Sequence, residues 1–290
     1  MARSELALRV LFAVVAIPVV IAAALVGDWA LAALLSVAAA LAAWEFARVA
    51  MAAGYRPLGG ACVVLAALLP LYVHAVYLGL AVPSISLGAV IVLGIFGAVI
   101  WARGAEQHPV GAAATTVLGV VYTGGMLSFA YALRYHGYAV GARAGAAVLL
   151  LPVVLTWTSD IAGYTVGRAV GRHRLAPAVS PGKTVEGAVG GLLLCVVVAW
   201  LYQRLVLIPA AQLALPRGAL VVFALAIAAA AQVGDLAESL MKREAGVKDS
   251  SRIIPGHGGV LDRIDGLLFA LPVAYVLFGM LVVPVPAVSP

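Results

Sequence analysis

Residues 217–240 read RGALVVFALAIAAAAQVGDLAESL. From Ala219 to Ala231 no polar side chain interrupts, and then Gln232, Asp235, Glu238 and Ser239 follow within two helical turns. A helix needs about 20 mostly apolar residues to cross the hydrocarbon of a bilayer, and this stretch has that length. A carboxylate in such a span costs a few kcal/mol on insertion scales, so it is retained for a purpose. The segment therefore predicts a transmembrane helix with working chemistry at one end. Similar apolar stretches lie near 6–26, 29–51, 58–80, 84–103, 110–133, 145–167, 185–207 and 261–284. Between them stand Gly27-Asp28, Gly54 to Pro57, Val82-Pro83, His108-Pro109, Gly137 to Gly145 and Leu215-Pro216, which are turn-forming combinations.

The whole composition agrees. Of 290 residues 64% are hydrophobic and 10% charged, with a mean hydropathy of +1.12. Ordinary soluble domains carry about 25% charged and roughly 45–50% apolar residues. A soluble fold could not hide this surplus, and a disordered chain would be poor in apolar residues. The expectation is an all-α, polytopic integral membrane protein with about nine transmembrane helices. Arg3 and Arg9 before Leu11–Val26 resemble a signal peptide, but apolar runs continue to the C-terminus, so this reads as an uncleaved first span. Cys62 and Cys195 each lie inside an apolar run, which suggests neither a zinc site nor a disulfide framework.

Orientation follows from the basic residues. With the N-terminus in the cytoplasm, all but four of the 18 Lys and Arg fall on inner segments; the exceptions are Arg134, Arg143, Arg204 and Arg217. The positive-inside rule then predicts N-in, C-out. The net charge of +6 is scattered between apolar runs, so a basic membrane surface explains it and no nucleic-acid partner is expected.

The two halves differ in chemistry. Before residue 151 the acidic residues are Glu5, Asp28, Glu45 and Glu106; from Asp160 onward there are twice as many. Residues 1–150 thus read as a transmembrane scaffold, and 151–290 as the catalytic region with cytoplasmic-side loops 168–184 and 241–260. Glu45 and Arg48, three apart, read as a local pair. His74, His108 and His136 are isolated and read as interfacial.

Two segments carry the chemistry. In the later one, Asp235 and Glu238 are three apart, as are Asp262 and Asp265, which puts each pair on one helix face. Four carboxylates at the ends of neighbouring spans would make an all-oxygen cluster suited to Mg²⁺. Pro255-Gly-His257-Gly-Gly259 is a turn permitting close backbone approach, just ahead of a helix N-terminus that favours phosphate. The alternative is that these carboxylates pair with Lys242, Arg243 and Arg263 as structural salt bridges. In the earlier segment, Ser180, Lys183 and Thr184 offer two hydroxyls and an ammonium at the start of the next helix, an anion seat. Gly182-Lys183-Thr184 is not a P-loop, because Pro177 stands where that motif needs glycine and no strand is expected before it. The bland alternative is a basic loop that holds anionic lipid.

Together these segments resemble the phosphatidate cytidylyltransferase (CDP-diglyceride synthase) family over about 157–270. Its pattern S-x-x-K-R, K-D, H-G-G-x-x-D-R-x-D stands here as Ser239, Lys242-Arg243, Lys248-Asp249, His257 to Gly259, Asp262-Arg263 and Asp265. Ser180, Pro181, Lys183, Thr184, Glu186 and Gly187 extend the likeness upstream. Ser251 departs from it, standing where the family often has Gly, as does the order Ala162-Gly163 before Tyr164. The resemblance implies transfer of a cytidylyl group from CTP to phosphatidate at a bacterial-type cell membrane, with membrane lipid around it and a homodimer as candidate assembly. It also implies Asp235, Asp262 and Asp265 as ligands of a divalent metal, Mg²⁺. Lys183, Lys242, Arg243, Lys248 and Arg263 would hold phosphates, and Ser180, Thr184 and His257 would hydrogen-bond phosphate or sugar oxygens.

Two rivals make different demands. A multi-pass transporter calls for polar residues along several mid-helices and a repeated half, and neither is present. A CDP-alcohol phosphotransferase shares the start D-x-x-D-G at Asp262 to Gly266, but Phe269-Ala270 stand where its A-R belongs.

Overall fold

The computed structural model describes residues 2–105, 108–254, 256 and 258–285, with described side chains beginning at Val14. In chain order the helices are α1 (Ala2–Val26), α2 (Asp28–Ala52), α3 (Gly59–Tyr77), α4 (Ile85–Arg103), α5 (Pro109–Gly119), α6 (Met126–Arg134), α7 (Ala142–Val170), α8 (Val185–Tyr202), α9 (Ile208–Ala211), α10 (Arg217–Glu244) and α11 (Leu261–Leu281). A π-helical turn, Val120–Gly125, joins α5 to α6, and another, Gln203–Leu207, joins α8 to α9. Among the described residues eight helices, counting each joined pair once, are long and apolar enough to cross a membrane. The described apolar part of α1, Val14–Val26, is shorter. The protein is an all-α polytopic membrane protein, and every apolar stretch expected to span is helical.

Four short strands add to this: β1 (Arg174–Ala176), β2 (Ser180–Thr184), β3 (Leu213–Ala214) and β4 (Val283–Pro284). β1 and β2 pair antiparallel, Arg174 opposite Thr184 and Ala176 opposite Ser180. This corrects the expectation of no strand near Gly182-Lys183-Thr184, since these residues are themselves in β2. Pro177 is the reason: its ring fixes φ and suits a turn, and Val179 N–H closes that turn on the Ala176 carbonyl at 3.1 Å.

The chain divides into two compact units. One comprises Met1–Ile17, Asp28–Tyr131 and Met241–Ile264; the other comprises Pro18–Gly27, Ala132–Leu240 and Asp265–Pro290. The division at 150/151 expected from the distribution of acidic residues concerns chemistry and is distinct from this division by compactness.

In the first unit α2 lies against α3 through small buried residues, among them Ala39, Ala43 and Ala66. Such residues let helix backbones approach where lipid provides no hydrophobic drive. A Cβ at Gly119 would come within 2.5 Å of Cys62 Sγ, so α3 seats only on a glycine there. Buried hydroxyls are satisfied within their own helices: Thr116, Thr123 and Ser128 donate to the carbonyls of Ala112, Gly119 and Gly124. His74, in the last turn of α3, is not isolated. It is buried, with Nδ1 2.5 Å from the Tyr131 hydroxyl and its ring edge-on to Trp29. α4 turns Ile85, Leu93, Ile100 and Trp101 outward, as lipid contact requires.

In the second unit α7 and α8 form the main helix pair. Arg134 is buried and donates to the carbonyls of Ala24 and Leu25, satisfying the open C-terminal end of α1. Phe278 of α11 packs edge-on against Phe223 of α10.

Candidate active site

The close approach of α7 and α8 begins with three glycines. A Cβ on Gly187 would stand 2.5 Å from the Gly163 carbonyl and 3.1 Å from Gly167 Cα, and one on Gly167 would stand 2.8 Å from Thr184 Oγ1. Where α7 ends, the β1–β2 hairpin carries the chain back to the start of α8. Thr184 is the N-cap of that helix, its hydroxyl accepting from Gly187 N–H at 3.1 Å. Glu186 ties the hairpin down, accepting from the backbone N–H of Arg172 at 3.0 Å and contacting His173 Nδ1 at 2.6 Å.

This packing leaves a cavity of about 640 Å³ inside the second unit, within the size range of small-molecule sites. Its wall carries Arg168, Arg172, Arg174 and Lys183 against the carboxylates Asp160 and Asp235, with Ser159, Ser180, Thr184 and Gln232 between them. Gln232 is held by Ser159 Oγ and the Ala188 carbonyl, at 3.2 and 3.1 Å from its Nε2. Lys183 Nζ lies 2.6 Å from Asp235 Oδ2. At this distance the ammonium and carboxylate form a close ion pair, each side chain remaining partly exposed. Asp235 Oδ1 receives a long 3.4 Å bond from Ser239, and a third of the carboxylate side chain is exposed. Four basic side chains thus line the cavity with two carboxylates, and of these Lys183 and Asp235 are paired.

Asp262 belongs to the first unit and is surrounded by donors. Oδ1 accepts from Lys242 Nζ at 2.7 Å, and Oδ2 from Ser250 N–H, Ser250 Oγ and Gly259 N–H at 3.0, 2.8 and 2.7 Å. The glycines ahead of it are explained by this closeness. Gly258 has φ +80° and lies against the Asp262 carboxylate, and Gly259 leaves no room for a Cβ beside Ser250 and Glu45. Glu45 does not pair with Arg48, whose guanidinium lies over the Trp44 ring at 4.7 Å. Glu45 is fully buried and bonded to Ser250, Ser251, Val260 and Leu261 instead.

The expected residues thus distribute as follows. Ser180, Lys183, Thr184 and Asp235 come together on one cavity wall. Asp265 shares their unit, and its carbonyl closes on Gly234 of α10, one residue before Asp235. Lys242 pairs with Asp262; Arg243, Lys248 and Arg263 are exposed in that same unit. His257 lies outside the described residues. Within neither unit do three His, Cys, Asp or Glu side chains of the described residues gather closely enough to share an ion. Asp160, Arg168, Arg172, Arg174 and Gln232 were not singled out as site residues from the sequence. Arg168 and Arg172, four apart at the end of an apolar run, were the available signal. For Glu45 the signal was an acidic residue inside a span.

Fold and cavity together define a many-span helical membrane protein with a cavity lined by four basic side chains. The model of the cytidylyltransferase family matches residues 7–281. The chain belongs to the cytidylyltransferase family. It is 40% identical over 136 residues to the phosphatidate cytidylyltransferase of Bacillus subtilis (strain 168), covering 47% of this chain and 49% of that one. With the phosphatidate cytidylyltransferase of Haemophilus influenzae it shares 43% over 143 residues, 48% of each chain. With that of Brucella suis it shares 48% over 132 residues, 46% of each. The matched part spans about half the length of these curated relatives.

Proposed function

We propose that the protein is a phosphatidate cytidylyltransferase of the cell membrane, converting CTP and phosphatidate to CDP-diacylglycerol and pyrophosphate. The observation that carries this reading is the cavity lined by Arg168, Arg172, Arg174 and Lys183, with Lys183 against Asp235. A nucleoside triphosphate is a polyanion of the right class for it, and the relatives named for this activity share close to half the chain.

The reaction is a displacement at phosphorus. A phosphate-monoester oxygen of the lipid forms a bond to the α-phosphorus of CTP, the bond from that phosphorus to the bridging oxygen breaks, and pyrophosphate leaves. No covalent enzyme nucleophile is needed, so catalysis consists of positioning and charge stabilisation. Lys183 supplies a point charge to a phosphate oxygen, exchanging Asp235 for substrate. The arginines offer planar forks that suit phosphate. Ser180 is placed to donate a hydroxyl hydrogen bond, while Thr184 holds the helix start beside it. Lys242, Arg243, Lys248 and Arg263 remain proposed phosphate contacts, and His257 a proposed hydrogen-bond donor.

Asp235, Asp262 and Asp265 are the proposed carboxylate ligands of Mg²⁺. As hard oxygens the carboxylates suit Mg²⁺, and Asp235 keeps lone pairs beyond its contacts with Lys183 and Ser239, whereas Asp262 would have to exchange Lys242 for the ion. A bound divalent ion supplies positive charge to the phosphoryl oxygens and the leaving pyrophosphate. The distribution of basic residues supports an N-in, C-out arrangement with loops 168–184 and 241–260 in the cytoplasm, where a soluble nucleotide is available.

The test is incubation of the purified protein with phosphatidate, labelled CTP and Mg²⁺. A labelled lipid that forms only when phosphatidate is present is expected. A lipid product that forms only from a CDP-lipid and an alcohol would overturn the reading in favour of a phosphotransferase.

A further inference from the structure

Glu45 stands on α2 in the apolar N-terminal part of the chain, and the reaction as described makes no use of it. Its carboxylate is fully buried. Oε1 accepts from Ser251 Oγ at 2.5 Å and Val260 N–H at 3.0 Å; Oε2 accepts from Leu261 N–H at 2.6 Å and Ser250 Oγ at 3.2 Å. All four donors lie more than 200 positions away in sequence, and none belongs to α2. Leu261 opens α11 and Val260 immediately precedes it, at a helix start where backbone N–H groups have no acceptor in their own helix and negative charge is favoured. The Ser250 hydroxyl lies between two carboxylates, 3.2 Å from Glu45 and 2.8 Å from Asp262. The departure from the family pattern at Ser251 is explained here as well, since its side chain supplies one of the donors. Gly259 has no room for a Cβ against Glu45 and Ser250, so the loop closes on this carboxylate only as glycine.

We infer that Glu45 is a positioning residue for the reaction: by gathering Ser250, Ser251, Val260 and Leu261, its carboxylate ties both ends of this loop together and sets the orientation of Asp262. The inference rests on the cytidylyl-transfer reading, in which Asp262 is a proposed metal ligand. A carboxylate whose rotamer is set by outer partners loses function when those partners go, although it is itself unchanged. Asp262 holds the same loop through Ser250 and Gly259, and Ile254 N–H closes on the Gly258 carbonyl at 2.9 Å, so Glu45 acts as the second of two carboxylate anchors.

The experiment uses the full chain and the variants Glu45→Gln, Glu45→Asp and Arg48→Ala. Glu45→Gln should lower kcat roughly 10–100-fold and weaken the apparent Mg²⁺ affinity, with KM for phosphatidate close to that of the unaltered protein. Glu45→Asp, which keeps the charge, should recover part of the loss, and Arg48→Ala should be neutral. Without metal or nucleotide, trypsin should cut Glu45→Gln after Lys248 or Arg252 faster than its lowered Tm accounts for. Combining Glu45→Gln with Ser250→Ala should cost little more than the worse single change, since both act through Asp262. Unaltered kcat and Mg²⁺ dependence in Glu45→Gln would overturn the inference, as would a loss that merely follows Tm. If Glu45→Gln does not purify folded, Ser251→Ala carries the same measurements, and unaltered values there have the same force. An unaltered protein that makes no CDP-lipid overturns the functional reading itself, whereas an active one with an active Glu45→Gln overturns only the role of Glu45.

Discussion

At Lys183 an ammonium held 2.6 Å from Asp235 shares its cavity with three guanidinium groups. Removing it takes away a positive charge aimed at where phosphate charge develops, and loss of one such donor costs roughly 10²–10³ in rate. Lys183→Ala should therefore lower kcat by about that factor in the CTP-dependent assay, and Lys183→Arg should retain part of the activity because the charge remains. Wild-type kinetics in the alanine variant would return the loop to a lipid-holding role. The two aspartates separate by their surroundings. Asp235 is a third exposed, whereas the Asp262 side chain is 6% exposed and paired with a Lys242 that is itself mostly buried. Breaking a buried pair from one side costs about 3–5 kcal/mol. Asp235→Asn should keep its Tm while losing nearly all activity, with part of it recovered at high Mg²⁺. Asp262→Asn should lose both activity and several degrees of Tm. Normal turnover in either variant at ordinary Mg²⁺ would remove that residue from the proposed metal ligands.

Among the elements, the α7–α8 pair and the hairpin between them decide whether the cavity exists. Their separation is set by glycine, because a side chain at Gly187 would have to enter the space of the Gly163 carbonyl. Overpacking of this kind costs about 1–3 kcal/mol, and here it would also move the hairpin that carries Lys183. Gly187→Ala should lower Tm and raise KM for CTP, whereas Gly94→Ala on α4, where nothing lies within 4 Å, should leave both unchanged. Equal melting of the two variants would show that the helices can adjust. Much of this level was legible in the sequence. The apolar runs and their Gly and Pro punctuation mark the helices, because length and hydropathy are local properties. The hairpin was not, since strands this short have no periodicity to read and their pairing is a contact between segments.

For the molecule as a whole, the uneven distribution of Lys and Arg predicts which loops share a side of the membrane. Both native cysteines are buried, so single reporters at exposed positions give low background. Ala178→Cys and Ile253→Cys should label from the cytoplasmic face with an impermeant maleimide, and Val140→Cys from the opposite face. Labelling of Ala178→Cys and Ile253→Cys from opposite faces would rule out cytoplasmic placement of both polar loops. Composition alone determined that the chain is helical and lives in lipid, because a chain this apolar has few other ways to satisfy its backbone. The charged motif residues likewise carried the resemblance to the family that the family model bears out. Only the tertiary structure decided which partner each charge takes. Lys183 meets Asp235, Lys242 meets Asp262, and Glu45 serves a loop more than 200 residues away rather than its neighbour Arg48. A buried carboxylate goes where donors converge, and that convergence comes from packing between distant segments, which no local pattern encodes.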